Sequence, residues 1–214
     1  MSFPRIVCIG EALTDMHQVA TDQWHSCVGG STWNVARACA KLGLPSAFAG
    51  GISRDLFGQA LWRASEAAQL DLRFLQTYDR SPLLAMVEQG STPQYFFIGD
   101  DSADLYFDSA ALPAGWQQSL QWAHFGGISL ARQPLAQRLV ELAVDLKARG
   151  VKISYDPNFR NLMDAQYDTT LARMCGLADL IKVSDEDCRG LMRMMIRMSR
   201  LQSCVKTIRR PATF

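Results

Sequence analysis

Short apolar runs that end at glycine alternate along the chain with stretches in which apolar residues recur every three or four positions. Residues 5–10 form one such run, β-branched and closed by Gly10, the pattern of a parallel strand buried on both faces. Residues 31–42 follow as a helix: Val35, Ala38, Cys39 and Leu42 fall at helical spacing, Ser31 or Thr32 can cap the start, and Gly43 ends it. A second strand is expected at 46–49, stopping before Gly50-Gly51. A second helix is expected at 55–69, with Leu56, Ala60, Leu61, Ala64 and Ala68 on one face. The period then drops toward two. Residues 84–88 and 94–98 flank a turn containing Gly90 and Pro93, which predicts a hairpin with one exposed face, a small β lid. Strand and helix alternation resumes with strands at 122–125, 151–155 and 180–183, helices at about 134–149 and 169–177, and a helix start at 184–191. This order predicts an α/β fold, a mostly parallel sheet flanked by helices.

Composition narrows the class. The 214 residues are 48% hydrophobic, enough to bury a sizeable core in one domain with a small appendage. No stretch approaches the roughly 20 apolar residues of a bilayer helix, and the start lacks the charged, then apolar, order of a signal peptide. A cytoplasmic protein with no membrane partner is expected. The six cysteines contain no C-x-x-C pair, so reduced, isolated thiols are expected rather than disulfides or zinc. His17 and His25 are close in sequence, but His124 is remote and no carboxylate is spaced for a metal helix, so no metal site is expected.

Charge reveals a break. Residues 1–188 hold 15 basic and 21 acidic residues, a net of −6, whereas 189–214 hold seven basic residues and no acid. The chain therefore divides into a body, 1–188, and a basic tail, 189–214. The abrupt change inside a helix start is read as a shifted reading frame. The alternatives are a basic helix with a disordered end, or a nucleic-acid patch.

Four motifs sit at predicted strand ends, where open α/β sheets place ligands. Gly10-Glu-Ala-Leu-Thr-Asp15 puts a carboxylate after the first strand, able to accept two sugar hydroxyls or simply to be a solvated loop acid. Gly29-Gly30 before a helix lets a backbone approach a ligand, or makes a tight turn; Asn34, one turn on, offers a donor and an acceptor. In Asp156-Pro-Asn158-Phe-Arg160, Pro157 stiffens the exit and Arg160 supplies a fork suited to phosphate or carboxylate. Lys182-Val-Ser184-Asp-Glu-Asp187 resembles a capping box with a shorter acid, with a nucleotide role as the sharper alternative. There is no G-x-x-x-x-G-K-[ST] and no G-x-G-x-x-G after the first strand, which disfavours P-loop and dinucleotide enzymes.

Together, in this order over about residues 5–188, the motifs resemble the PfkB (ribokinase-like) carbohydrate kinases, whose first signature runs Gly-Gly, Asn-x-Ala and Leu-Gly. Gly50-Gly-Ile-Ser53-x-Asp55-x-Phe57-Gly58 adds to the match, and the Asp-Pro-Asn-x-Arg form is closest to fructokinases and 2-keto-3-deoxygluconate kinases. The resemblance implies a ribokinase-like core with lid strands at about 11–28 and 83–107. It also implies ATP- and Mg²⁺-dependent phosphorylation of a primary sugar hydroxyl. Asp15, Gly29, Gly30 and Asn34 would hold the sugar, with Phe97 and Tyr106 packing over it or merely buried. Arg160 would meet the acceptor or the phosphoryl group, and Asn158, Lys182, Ser184 and Asp187 would lie near ATP. Ser184 and Asp187 depart from the family's Asn-x-x-Glu. A homodimer through the lid is compatible with the resemblance, and no nucleic-acid partner is expected.

The family's second signature, with Gly-Ala-Gly-Asp, is absent from this sequence. Its glycine amides stabilise phosphoryl charge and its Asp is the base, so the chain is expected to be C-terminally truncated, without a catalytic residue of its own, and inactive. The alternatives are a sugar-binding pseudokinase and a nucleic-acid binder acting through the basic tail.

Overall fold

The computed structural model describes residues 3–88 and 94–198. The chain order is β1 (Ile6–Ile9), β2 (Leu13–Ala20), β3 (Gln23–Gly29), α1 (Ser31–Lys41), β4 (Ser46–Ser53), α2 (Leu56–Ala67) and β5 (Leu75–Tyr78). It continues with β6 (Leu84–Glu88), β7 (Gln94–Ile98), β8 (Trp122–Gly126), α3 (Leu135–Ala148), β9 (Lys152–Asp156), α4 (Tyr167–Leu177), β10 (Leu180–Ile181) and α5 (Asp185–Met198). Six strands form a sheet in the order β10-β9-β8-β1-β4-β5, every pair parallel. The expected α/β class is therefore observed.

Alternation along β1 explains the layering. Val7 and Ile9 face one core, shared with Leu135, Leu139 and Leu146 of α3 and Leu171 and Met174 of α4. Cys8 points the other way, to a smaller core with Trp33 and Ala36 of α1 and Leu61 of α2. Trp33 is fully buried there, and its indole N–H donates to Ser65 Oγ at 2.9 Å.

β4 departs from the expected strand at 46–49 by running on through Gly50-Gly51 to Ser53. The glycines do not end it. A Cβ at Gly50 would lie 2.6 Å from the Gly10 carbonyl, and one at Gly51 would lie 2.4 Å from the Ala103 carbonyl. They let neighbouring backbone pack against the strand. Just beyond, Asp55 caps α2 by accepting from the amides of Phe57 (2.9 Å) and Gly58 (3.0 Å).

The predicted hairpin is β6-β7, and β2-β3 joins it to make a four-stranded sheet in the order β3-β2-β6-β7. β2 lies parallel to β6, so this second sheet is knitted from two separate chain segments. The segment after β7 is tied to the main body: Arg132 pairs with Asp104 and donates to the Gly99 carbonyl and Ser102 Oγ, and Arg138 donates to the carbonyls of Leu105 and Phe107.

The charge break at 188 falls inside α5. Past it, Leu191 is buried in the larger core, and Gly190 lies so close to Phe159 that a Cβ would sit 2.3 Å from its ring. Residues 199–214 of the basic tail lie outside the described residues. Among the described residues, no helix is long and apolar enough to cross a membrane.

Candidate functional site

All six strands of the main sheet are parallel, so their carboxyl ends share one edge, and there the chain places Gly10, Gly126, Asp156 and Lys182. The second sheet brings Asp15 to this region. Asp15 is in register with Cys27 and Ala85, and Ala85 with Phe97, so these four share one sheet face. Ala85 is buried and Phe97 packs on the larger core, which makes this the inward face. Burial pushes the Asp15 carboxyl above its ordinary range, against the pull of His17 and Arg160. Arg160 meets Tyr95 on this same sheet face, so the lid carboxylate and the arginine of the β9 exit border a common space.

Gly29 and Gly30 are needed for two different reasons. A Cβ on Gly29 would lie 2.1 Å from Asp15 Oδ2, so any larger residue there would displace that carboxylate. Gly30 adopts φ 114°, outside the range most residues accept, and a Cβ there would lie 2.6 Å from the Glu11 carbonyl. It begins α1, where its carbonyl accepts from the amide of Asn34 at 2.9 Å, and the Asn34 side chain is exposed on the first turn.

Glu11 was not among the expected site residues. It is buried, and its carboxylate accepts from the Ser31 amide (3.1 Å), the Ser129 amide (3.3 Å) and Ser129 Oγ (2.5 Å). Burial raises its carboxyl to about 6, and these hydrogen bonds hold it down from a larger rise.

At the β9 exit, Asn158 takes a left-handed conformation (φ 44°), and its amide donates to Asp156 Oδ1 at 3.0 Å, an Asx turn. Arg160 Nη1 donates to Asn158 Oδ1 (3.1 Å) and to the Phe159 carbonyl (2.7 Å), and its guanidinium lies 4.9 Å from the centre of the Tyr95 ring. Lys182 Nζ lies 3.0 Å from Asp156 Oδ2 and 4.0 Å from Asp187 Oδ2, with its side chain half exposed. Ser184 and Asp187 form the reciprocal box: Asp187 N donates to Ser184 Oγ (3.0 Å), and Ser184 N donates to Asp187 Oδ2 (2.8 Å). The other oxygen, Oδ1, accepts from Phe159 N at 2.8 Å, so this one carboxylate fastens the Asn158–Arg160 loop to α5.

Tyr106 stands apart from this group. It belongs to a 3₁₀ turn at Ala103–Tyr106; its hydroxyl donates to Asp101 (2.7 Å) and its ring contacts Arg80 and Tyr78. The lid aromatic that meets Arg160 is Tyr95, two residues before Phe97 and on the same face.

The sequence profile of the pfkB family carbohydrate kinase matches residues 4–207. The chain belongs to this family.

Its relatives include a fructokinase of Escherichia coli, 28% identical over 193 residues, and one of Rhizobium leguminosarum bv. trifolii, 31% identical over 190 residues. The matches take in 86% and 85% of this chain but only 62% and 58% of those proteins, so the chain spans about three-fifths of their length. A crystal structure of Xylella fastidiosa fructokinase with bound ATP superimposes with a TM-score of 0.81 at 27% identity, over 91% of this chain and 61% of that one.

Family kinship raises the question of a metal. Asp187 has both oxygens engaged by backbone amides, and among the described residues no group of three His, Cys, Asp or Glu is placed to hold an ion. The described residues thus form no all-protein cage for Mg²⁺, an ion usually held by one or two carboxylates together with water and phosphate. Glu11 and Tyr95 were missed for different reasons. Tyr95 lay within the predicted hairpin, and the period-two pattern that faces Phe97 inward also faces Tyr95 inward. Glu11 carried no comparable signal, because its partners lie 20 and 118 residues away.

Proposed function

We propose that this chain carries the acceptor side of a fructokinase-like sugar kinase, binding a sugar or sugar acid between the lid and the carboxyl edge of the parallel sheet. One observation carries the reading: the lid carboxylate of Asp15 and the core guanidinium of Arg160 face a common space, with Arg160 against Tyr95 of the lid. Asp15 accepts sugar hydroxyls, Asn34 and the Gly29-Gly30 backbone border them, and Phe97 and Tyr95 supply apolar cover. Arg160 offers charge to the acceptor or to a phosphoryl group.

The reaction of such a kinase is ATP-dependent phosphorylation of a primary hydroxyl. Lys182, at the carboxyl edge beside the α5 amino-terminus, is the group best placed for ATP phosphates, with Asn158 and Ser184 nearby. Asp187 contributes by holding that loop. We infer that the chain alone does not catalyse the transfer. No Gly-Ala-Gly-Asp is present in its sequence, and phosphoryl transfer depends on positioning and charge stabilisation that this element would supply.

Isothermal titration with D-fructose and 2-keto-3-deoxygluconate tests the binding reading, alongside a coupled assay for ADP release. Heat of binding with one of them and no sugar-dependent ADP is the expected outcome; no heat with either overturns it. A homodimer through the lid is supported by Trp24, Phe96 and Ile98, which are exposed on the lid, and sedimentation equilibrium checks it. The charge break at 188 supports a shifted frame, which reading the downstream nucleotides in all three frames for Gly-Ala-Gly-Asp would test. A nucleic-acid role for residues 189–214 would require salt-sensitive DNA binding that disappears when they are deleted.

A further inference from the structure

Glu11 is a carboxylate buried to 2% exposure, with three donors from two distant segments converging on it. Burying an ionised carboxylate is unfavourable unless its oxygens are satisfied. Here Oε1 takes the Ser31 amide at the first turn of α1, and Oε2 takes both the amide and the hydroxyl of Ser129 in the turn after β8. Gly127 wraps the carboxylate so closely that a Cβ, at its φ of 65°, would lie 2.1 Å from Oε1. The backbone of Glu11 grips the same helix end: its carbonyl accepts from Thr32 Oγ1 at 2.9 Å and lies against Gly30. Two residues further on, β2 begins and carries Asp15.

We propose that Glu11 is the positioning residue of the acceptor site, its carboxylate locking the amino-terminus of α1, and with it Gly30 and Asn34, to the turn after β8 and beside Asp15. This rests on the acceptor-site reading given above. Glutamate suits the position because a carboxylate has only acceptors, and every neighbour aimed at it is a donor. Glutamine would place an NH₂ group against one of those donors. The Ser129 hydroxyl can rotate to accept from it, but the Ser129 amide cannot. Asp104 gives the contrasting case: it is equally buried, in the segment after the lid, but its carboxylate pairs with Arg132 and the Ser102 hydroxyl.

The test compares Glu11→Gln, Glu11→Ala and Ser129→Ala in the full chain, using residue-resolved amide hydrogen exchange and titration with D-fructose. In Glu11→Gln the Ser31 amide should keep its protection while the Ser129 amide exchanges at least tenfold faster. In Glu11→Ala both should exchange faster, with Ala123 and Ile153 in the central strands unchanged. Fructose Kd should rise at least tenfold in both variants. Ser129→Ala keeps both amide donors and should weaken binding less. Should Glu11→Ala fail to fold, Glu11→Gln and Ser129→Ala still decide the matter.

Unchanged exchange at both serines overturns the proposal, as does faster exchange spread evenly over the central strands, or wild-type fructose affinity with both anchors loosened. If the unaltered chain binds no fructose, the acceptor reading fails on its own. The exchange pattern then still decides whether Glu11 holds α1 in place.

Discussion

Replacing Arg132 by methionine tests what holds the segment that leads out of the lid. Asp104 is 1% exposed, and its carboxylate has two side-chain partners, Arg132 and the Ser102 hydroxyl at 2.5 Å. Burial pushes the Asp104 carboxyl upward, and Arg132 is the strongest influence pulling it back. Arg132→Met keeps the stem's volume but strands a buried anion and removes one of the donors to the Gly99 carbonyl. Breaking a buried pair from one side costs about 3–5 kcal/mol, whereas replacing both partners with apolar groups is often nearly neutral. Arg132→Met should therefore lower unfolding free energy by about 3 kcal/mol or more at pH 7. Asp104→Leu/Arg132→Met should recover at least about 2 kcal/mol of that, since the Gly99 carbonyl still accepts from the Ser102 hydroxyl (2.8 Å) and amide (3.3 Å). Equilibrium urea unfolding followed by the fluorescence of the five tryptophans measures both. A loss below about 1 kcal/mol in the single variant would refute the reasoning, because an unpaired carboxylate at that depth cannot be so cheap. So would a double variant no more stable than the single one.

Three further predictions concern other parts of the molecule. Burial, with Lys182 adding to it, lowers the His124 pKa to about 4, so this neutral imidazole stabilises the fold above the unfolded-state value near 6.5 and that stability is lost as pH falls toward 4. The acid-side loss should shrink by about 3 kcal/mol in His124→Asn, read from urea unfolding at pH 7 and pH 4; equal losses in both proteins would contradict it. Gly29→Ala should leave the melting temperature within a few degrees but weaken fructose binding at least tenfold, since its methyl takes the place of the Asp15 carboxylate. Calorimetry showing unchanged affinity would count against that placement. Asp187→Ala removes the acceptor of the Ser184 and Phe159 amides and should cost about 2 kcal/mol, with faster amide exchange at Phe159 as its local signature.

Much of this molecule was legible along the chain because its signals are local. The apolar run of β1 and the alternation in β6 and β7 each report which face of an element meets a core, and that is written within ten residues. In α1 the helix was legible but its face was not: Thr32, Trp33 and Ala36 are buried, whereas Leu42 of the expected apolar spacing is 80% exposed. Ser184 and Asp187 likewise predicted a capping box, because both partners lie in one turn of helix. Tertiary structure decided whatever depends on a distant partner. Gly50-Gly51 looked like a strand's end and proved to be its middle, since the atoms that exclude a side chain there belong in part to Gly10 and Ala103. Asp187 acquired its second task only when Phe159 folded against it. Tyr95 rather than Tyr106 came to Arg160, because lid register sets which aromatics face inward, while the segment after β7 turns away to the Arg80 and Tyr78 edge. Asp15 and Glu11, four residues apart, could each have been solvated loop acids on sequence alone. Burial made one a half-covered group facing Arg160 and the other a sealed anchor, and burial is set by residues the local sequence does not contain.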